Sequence, residues 1–500
     1  MTNPSNAAGA AAAPAQAQET VQQVTLLDQI VQDGRLGRDA ASRERGKELV
    51  KEFVNQIAQG ALAVSRDAEA TINARIAQID RLISLQLNEI LHNEKFQKLE
   101  ATWRGLRYLL DQSETSDMLK IKILNCSKKE LLKDLQRAAE FDQSALFKKV
   151  YEEEFGIFGG APFASLVGDY EFGRHPEDIE LLEKISNVAA AAHAPFLTAA
   201  APEMFNLDSF STIGGIRDMS KVFDSQEYAK WKSFRESEDS RYVGLTCPHI
   251  LMRLPYGPNT KPVDGFNYEE DVDGTDHKKY LWGNAAFALG ARLTNAFSKH
   301  GWCAAIRGVE GGGLVEGLPV HTFHTDDGDI AMKCPTEVAI TDRREKELAD
   351  QGFAPLVHCK GRDYAAFFSV QSGNKPKLYD KDAANANARL SAQLPYILAM
   401  CRFAHYLKAM MRDKIGSFMS RSDCQMFLNN WINNYVCADD NATPTMKAQL
   451  PLREASIQVV EVPGKAGAYR AIAFLKPHFQ LDELSVSLRL VADLPASARK

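Results

Sequence analysis

The spacing of apolar residues changes period along this chain, and that change limits what it can fold into. From Ile72 to Ile90 the large aliphatics Ile72, Ile76, Ile79, Ile83, Leu87 and Ile90 follow at steps of four, three, four, four and three, which lines them along one helix face. Upstream, Leu49, Phe53 and Ile57 repeat every four residues. Near the other end Leu484, Val486, Leu488 and Leu490 alternate with Ser485, Ser487, Arg489 and Val491, the period-two pattern of a strand with one apolar face. A chain with both periods is neither all-helical nor all-β. The 72–90 stripe reads either as helices packing within their own domain or, with about three heptads, as an intermolecular coiled-coil seam.

Between these ends the periods mix. Met118 to Leu124 reads as a strand, and Ser127 with Glu130 is a capping-box signature for a helix through about Ala139. Strand and helix signals alternate to about residue 380, punctuated by turns such as Phe158-Gly159-Gly160-Ala161-Pro162 and Leu254-Pro255-Tyr256-Gly257. The expected fold class is α+β. Ala383 to Lys414 is a long helical segment interrupted by Pro395, Asp423 to Tyr435 is a further helix, and Ser456 to Val462 and Tyr469 to Leu475 are strand-like. The length of 500 residues suits two to four domains, at roughly 150 residues each. The expected division is a disordered tail at 1–20, a short amphipathic helix at 21–38, a helical region at 39–95, a central α+β domain at 96–382 and a C-terminal domain at 383–500.

The first residues are Ala, Asn, Pro and Gln, too poor in large apolar groups to offset the entropy of ordering them. Val24, Leu26, Leu27, Ile30 and Val31 then cluster before Gly34 and Gly37, the mark of a short amphipathic helix on a tether. The net charge of −6 gives no global footprint for nucleic acid. Ile185 to Pro202 is mostly Ala and too weakly apolar to span a bilayer, and the N-terminus lacks a basic leader and apolar core. A cytosolic protein that is not membrane-inserted is expected, its eight scattered cysteines reduced and in part buried filler.

Candidate chemistry is thin. The cluster Gly308-Val309-Glu310-Gly311-Gly312-Gly313 lacks the Lys and Ser/Thr of a phosphate-cradling loop, so a tight glycine turn is the better reading. Asp271-x-Asp273-Gly274-x-Asp276 resembles part of a calcium loop, yet Gly274 is misplaced and Trp282 stands where the closing Glu belongs. His321, His324, Asp326 and Cys334 could ligate zinc, without a second close pair. His193 and His405 read as packed or surface histidines. No cofactor, metal or catalytic residue is expected.

Aromatic, Arg and carboxylate residues crowd three segments: Trp103-Arg104-Gly105-Leu106, Trp231 to Tyr242, and Tyr280-Leu281-Trp282-Gly283-Asn284. They read equally as interface anchors or as internal networks. These residues also carry a resemblance. Phe96-x-x-Leu99-Glu100-x-Thr102-Trp103-Arg104-Gly105-Leu106, Tyr151-Glu152-Glu153-Glu154-Phe155-Gly156, Gly159-Gly160-Ala161-Pro162-Phe163, Gly168-Asp169-Tyr170-Glu171-Phe172, Phe234-Arg235-Glu236-Ser237-Glu238-Asp239-Ser240-Arg241-Tyr242, Arg253-Leu254-Pro255-Tyr256-Gly257, Leu281-Trp282-Gly283-Asn284-Ala285, Gly301-Trp302-Cys303 and Pro477-His478-Phe479-Gln480 are similar to the large subunit of the type VI secretion contractile sheath, the TssC/VipB/EvpB/ImpC family. The similarity runs from about Leu26 to the C-terminus.

That resemblance implies a structural, non-enzymatic protomer related to phage tail sheaths. It implies pairing with a small sheath subunit (TssB/VipA type), helical self-polymerisation around an inner tube protein (Hcp type), a baseplate, and a AAA+ unfoldase (ClpV type) that grips a short N-terminal helix. Here that helix carries Leu26, Leu27, Ile30 and Val31. The implied strand exchange between subunits falls on Ile457, Val459, Leu484, Val486, Leu488 and Leu490. A cytosolic enzyme with an interdomain thiol or His/carboxylate site, and a scaffold that does not polymerise, are the alternatives.

Overall fold

The computed structural model describes residues 40–58, 68–325, 327–417, 419–439, 441–461, 463, 469–478 and 480, together with Gln29 and Val31. The chain divides into two units, one through Leu85 and one from Gln86. In the first, α1 (Ala40–Ala58) and the greater part of α2 (Ala68–Leu91) are the helices that the four-residue spacing demands. Arg75 joins them, its Nη2 donating to Gln56 Oε1 at 2.5 Å. The isoleucine stripe of α2 is not buried: Ile72, Ile76, Ile79 and Ile83 keep 39–50% of their surface. Of the two readings of the stripe, packing within its own domain is not what the described residues show.

From Gln86 the order begins α3 (Glu94–Asp111), α4 (Lys128–Arg137), β1 (Leu166–Phe172), α5 (Pro176–Ala192), β2 (Phe196–Ala200), α6 (Ala229–Glu236), β3 (Val243–Cys247), β4 (Ile250–Leu251), β5 (Trp282–Gly283) and α7 (Ala286–His300). It continues β6 (Leu314–Val315), β7 (Thr322–His324), β8 (Ile330–Met332), α8 (Asp342–Asp350), β9 (Phe353–His358), β10 (Ala365–Phe367), α9 (Asp382–Leu390), α10 (Leu394–Asp413), α11 (Arg421–Asn433), β11 (Leu452–Glu461) and β12 (Tyr469–Pro477), besides shorter helical turns.

The central sheet has the order β1-β2-β3-β9-β10-β6, the first four strands parallel and the last two antiparallel. Parallel strands read as continuous apolar runs because both faces are covered. Every residue of β2 and β3 is buried. Successive side chains feed two cores: Phe196 and Phe353 join Leu182 and Ile185 of α5 on one face, while Leu197 and Ala354 join Ala288 and Leu289 of α7 on the other. Gly105 of α3 is where backbone must come close, since a Cβ there would lie 2.3 Å from the Phe287 ring of α7. Helix α4 starts on the expected capping box, with Ser127 and Glu130 each bonded to the other's backbone N–H.

Two expectations need correction. Met118 to Leu124 forms no strand. Its apolar residues Met118, Ile123 and Leu124 are more than half exposed, and among the described residues no neighbouring strand gives it a ladder partner. Pro395 does not interrupt one helix; it sits in the first turn of α10, where its missing N–H has no partner to lose, and the helical segment is two helices, α9 and α10. The glycine cluster is a tight turn docked on β10: Gly308 N donates to Phe367 O at 2.7 Å and Phe367 N to Gly313 O at 3.0 Å. Gly312 has φ 89 there, a conformation that favours glycine.

Candidate assembly site at the C-terminal hairpin

Helix α11 positions this site. A second capping box, Ser420 with Asp423, starts the helix, and Cys424, Leu428 and Ile432 recur every four residues on its buried face. They pack with Trp302, Phe403, Leu452, Ile457 and Val459. Trp302 stacks on Phe403 at 4.2 Å and meets Tyr435 edge-on at 5.1 Å. Ile457 and Val459 of β11 are 1% and 3% exposed, so burial of each side chain contributes about 1.5–3 kcal/mol.

The same helix turns two polar side chains onto the edge of β11. Asn429 Nδ2 donates to Ile457 O at 2.7 Å, and its Oδ1 accepts from Ile457 N at 2.9 Å. Gln425 Oε1 accepts from Val459 N at 3.1 Å. In an antiparallel pair the N–H and C=O of one residue point the same way, so Ile457 and Val459 face away from β12. Their opposite numbers, Ala473 and Ala471, therefore face outward from β12. Asn429 and Gln425 close the outer edge of β11, whereas the outer edge of β12 has no strand beside it among the described residues. The hairpin's other face leaves Ile472 and Phe474 51% and 60% exposed. Such an edge and face are what a further strand covers.

Just past β12 the chain is held again. Gln480 N donates to Tyr396 Oη at 3.1 Å, its Oε1 accepts from Arg307 Nε at 2.6 Å, and its Nε2 donates to Ala304 O at 3.3 Å. Of the other expected site residues, Leu26, Leu27, Ile30, Leu484, Val486, Leu488 and Leu490 lie outside the described residues; Val31 is helical and buried. Gln425 and Asn429 were not singled out by sequence, although their four-residue spacing places them on one helix face.

Several charged side chains elsewhere serve the interior. At the carboxyl ends of β1 and β3, His249 Nδ1 lies 2.5 Å from Glu337 Oε2 and Nε2 lies 3.1 Å from Glu171 Oε1, with His277 Nε2 3.1 Å from Glu337 Oε1. Burial alone pulls the His249 pKa down, but hydrogen bonds to the two carboxylates and their charges push it up to about 10. Burial raises Glu337, yet its bonds to His249 and His277 hold it well below the usual carboxylate range. Arg253 makes a bidentate contact with Glu270 at 2.6 and 3.0 Å and reaches Glu100 at 2.8 Å. In the first crowded segment the Arg and aromatic residues part company: Arg104 turns in to Glu100 and Tyr256, while Trp103 stays 64% exposed. Arg235 and Trp231 are buried, the former donating to Gly373 O, Gln351 Oε1 and Asp350 O.

The candidate ligand sets disperse. Asp273 Oδ1 accepts from Thr275 N, Thr275 Oγ1 and Asp276 N, and Asp271 pairs with Lys279. His321 Nδ1 meets Tyr280 Oη at 2.7 Å, His324 is exposed, Asp326 lies outside the described residues, and Cys334 bonds Thr336. Burial raises the Cys334 thiol, but bonds to His358 and Thr336 outweigh it and lower the pKa. His405 is buried with Nε2 2.8 Å from Ala192 O, and burial holds its pKa down to about 4. All eight cysteines are free thiols, and Cys247, Cys401, Cys424 and Cys437 are buried. Among the described residues no helix is long and apolar enough to cross a membrane.

The chain has relatives among known proteins. Residues 73–374 match the family described as EvpB/VC_A0108, tail sheath N-terminal domain, and residues 383–494 match the EvpB/VC_A0108, tail sheath gpW/gp25-like domain. The sheath protein TssC1 of the type VI secretion system of Pseudomonas aeruginosa is 51% identical over 461 residues, covering 91% of this chain and 93% of that protein. Two anti-feeding prophage structures, the baseplate and the helical sheath in its contracted state, are each 10% identical with TM-scores of 0.33 and 0.31. They cover 63% and 61% of this chain and 66% of theirs. The two matched domains define the class, a tail sheath protein. The chain belongs to the EvpB/VipB family of type VI secretion sheath proteins.

Proposed function

We propose that this subunit of the type VI secretion sheath pairs with a small sheath subunit, and that the pairs polymerise helically around an inner tube from a baseplate. Contraction then drives the tube outward. The observation that supports this reading is the asymmetric hairpin: β11 has its outer edge closed by Asn429 and Gln425, and among the described residues β12 has its own open. A strand added there, by about five main-chain hydrogen bonds of roughly 0.5–1.5 kcal/mol each, contributes a few kcal/mol per junction. The segment Leu484 to Leu490 has the alternation to exchange in this way. The exposed isoleucine stripe of α2 fits a helix of the small subunit.

In this reading the chain works in the cytoplasm without catalysis or cofactor, and its functional divisions are 1–20, 21–38, 39–95, 96–382 and 383–500. The 21–38 segment, through Leu26, Leu27, Ile30 and Val31, is the handle for a AAA+ unfoldase. Electron microscopy of the chain co-expressed with the small subunit tests the proposal: hollow tubes are expected, and Val486→Asp gives soluble folded pairs without tubes. Discrete particles under all conditions would overturn it. Leu27→Asp leaves tubes intact and weakens unfoldase binding. The catalytic alternative rests on Cys334 beside His358; alkylating that thiol should leave tube formation unchanged.

A further inference from the structure

The loop between the two matched domains, residues 375–382, forms one wall of an open cavity of about 400 Å³. Arg241 and Asn374 come to it from the first domain, Asn387 and Ser391 from α9 and the turn after it, and Lys377 and Tyr379 from the loop itself. No carboxylate lines it. Arg241 is the unusual member. Its Nε is buried without an acceptor, and among the described residues its guanidinium has no ion-pair partner, although buried N–H groups are nearly always paired. Lys377 is exposed and likewise without a carboxylate partner among the described residues.

The walls are set in advance. Asn374 Nδ2 donates to Ser237 O at 2.8 Å and to Ser240 Oγ at 3.0 Å, gripping the turn that carries Arg241. Asn385 Oδ1 accepts from Tyr379 N at 2.6 Å while its Nδ2 donates to Tyr379 O at 2.9 Å, so α9 fixes the loop. Tyr379 of that wall is 52% exposed, and Leu378, between Lys377 and Tyr379 in the chain, is 84% exposed. Two cations without a carboxylate partner among the described residues and an adjoining apolar surface together suit a ligand that is anionic and partly apolar.

We propose that this interdomain cavity is a docking site for an acidic peptide segment of a protein partner, one carboxylate seating on Arg241 and Lys377 while an apolar neighbour packs on Leu378 and Tyr379. A segment bound there touches both domains at their junction, so its occupancy reports, and biases, how one sits on the other.

The test is fluorescence anisotropy with the full-length chain and a labelled Asp-Glu-Leu-Asp-Glu-Tyr peptide at about 50 mM salt, where exposed charges are weakly screened. Saturable binding is expected, weakened about tenfold by the double variant Arg241→Gln, Lys377→Gln, as loss of a charge-assisted contact implies. Tyr379→Ala weakens it less, and Lys221→Gln, at a residue that does not line the cavity, leaves it unchanged. Thermal melting of the double variant at or above the parent temperature shows that the fold is intact. The proposal is overturned if the neutral peptide Asn-Gln-Leu-Asn-Gln-Tyr binds equally, or if the double variant binds as the parent does. It is also overturned if inorganic pyrophosphate binds in an Arg241-dependent way and the acidic peptide does not, because the cavity would then take a small phosphate.

Discussion

The central sheet and the C-terminal hairpin solve the same problem to different degrees. Strands β2 and β3 have a neighbour on each side, a helix layer on each face and no exposed residue. Strands β11 and β12 have one face on α11 and the other in solvent, one edge closed by side chains and, among the described residues, one edge open. Strands β2 and β3 are completed within one chain. Among the described residues the hairpin is anchored with one edge uncovered, and the proposed strand exchange needs both conditions, since an unanchored strand could not transmit force and a covered one could not add a neighbour.

The sharpest way to probe that contrast is to damage each region in turn. Phe353→Ala in β9 removes a fully buried ring stacked on Trp231 and packed on Phe205, and should cost about 3–5 kcal/mol in urea unfolding of the whole second unit. A loss under about 1 kcal/mol would mean that the central core repacks easily. Asn429→Leu strands the N–H and C=O of Ile457 and should cost about 1–3 kcal/mol. Its mark is faster hydrogen exchange at β11 without a change at β3; equal protection in both would show the latch to be idle.

A smaller effect should follow pH. His249, raised from 6.5 to about 10, contributes stability that is complete below about 6.5 and is lost as pH climbs to about 10. Glu337, held below its ordinary 4.5, contributes above that value and loses it as pH falls. The melting temperature of the second unit should therefore sag on both sides, and Glu337→Gln should flatten both limbs. An unchanged alkaline limb in that variant would remove His249 from the account. Least of all should Phe474→Asp matter to the isolated fold, within about 0.5 kcal/mol as for other exposed positions, though it should abolish tubes in micrographs of the co-expressed pair. Normal tubes would show that the exposed face of the hairpin stays uncovered.

What could be read from sequence was local. Ser127 with Glu130 announces a helix start because both bonds lie within four residues, and the four-residue spacing of Leu49, Phe53 and Ile57 needs only one helix to make sense. The strand-like character of Ser456 to Val462 and Tyr469 to Leu475, now within β11 and β12, was legible for the same reason. Met118 to Leu124 misled because a run of apolar residues does not reveal whether a partner strand will lie beside it. Nothing in Trp103-Arg104 says that the guanidinium turns in and the indole stays out; that choice depends on Tyr256, 152 positions away. The His249 cluster joins residues 78 and 88 positions apart, so no window of sequence contains it. The family motifs, by contrast, were visible throughout, which is why the role of the protein was easier to read than the details of its assembly site.

Gln480 is moored by Tyr396, Arg307 and Ala304. A pull applied to the residues beyond it would meet that knot before it met β12. The tension would pass into the start of α10 and the turn after α7, elements seated on the central sheet, instead of unzipping the hairpin bond by bond. The mooring works as a strain relief of the kind that protects a cable where it enters its housing.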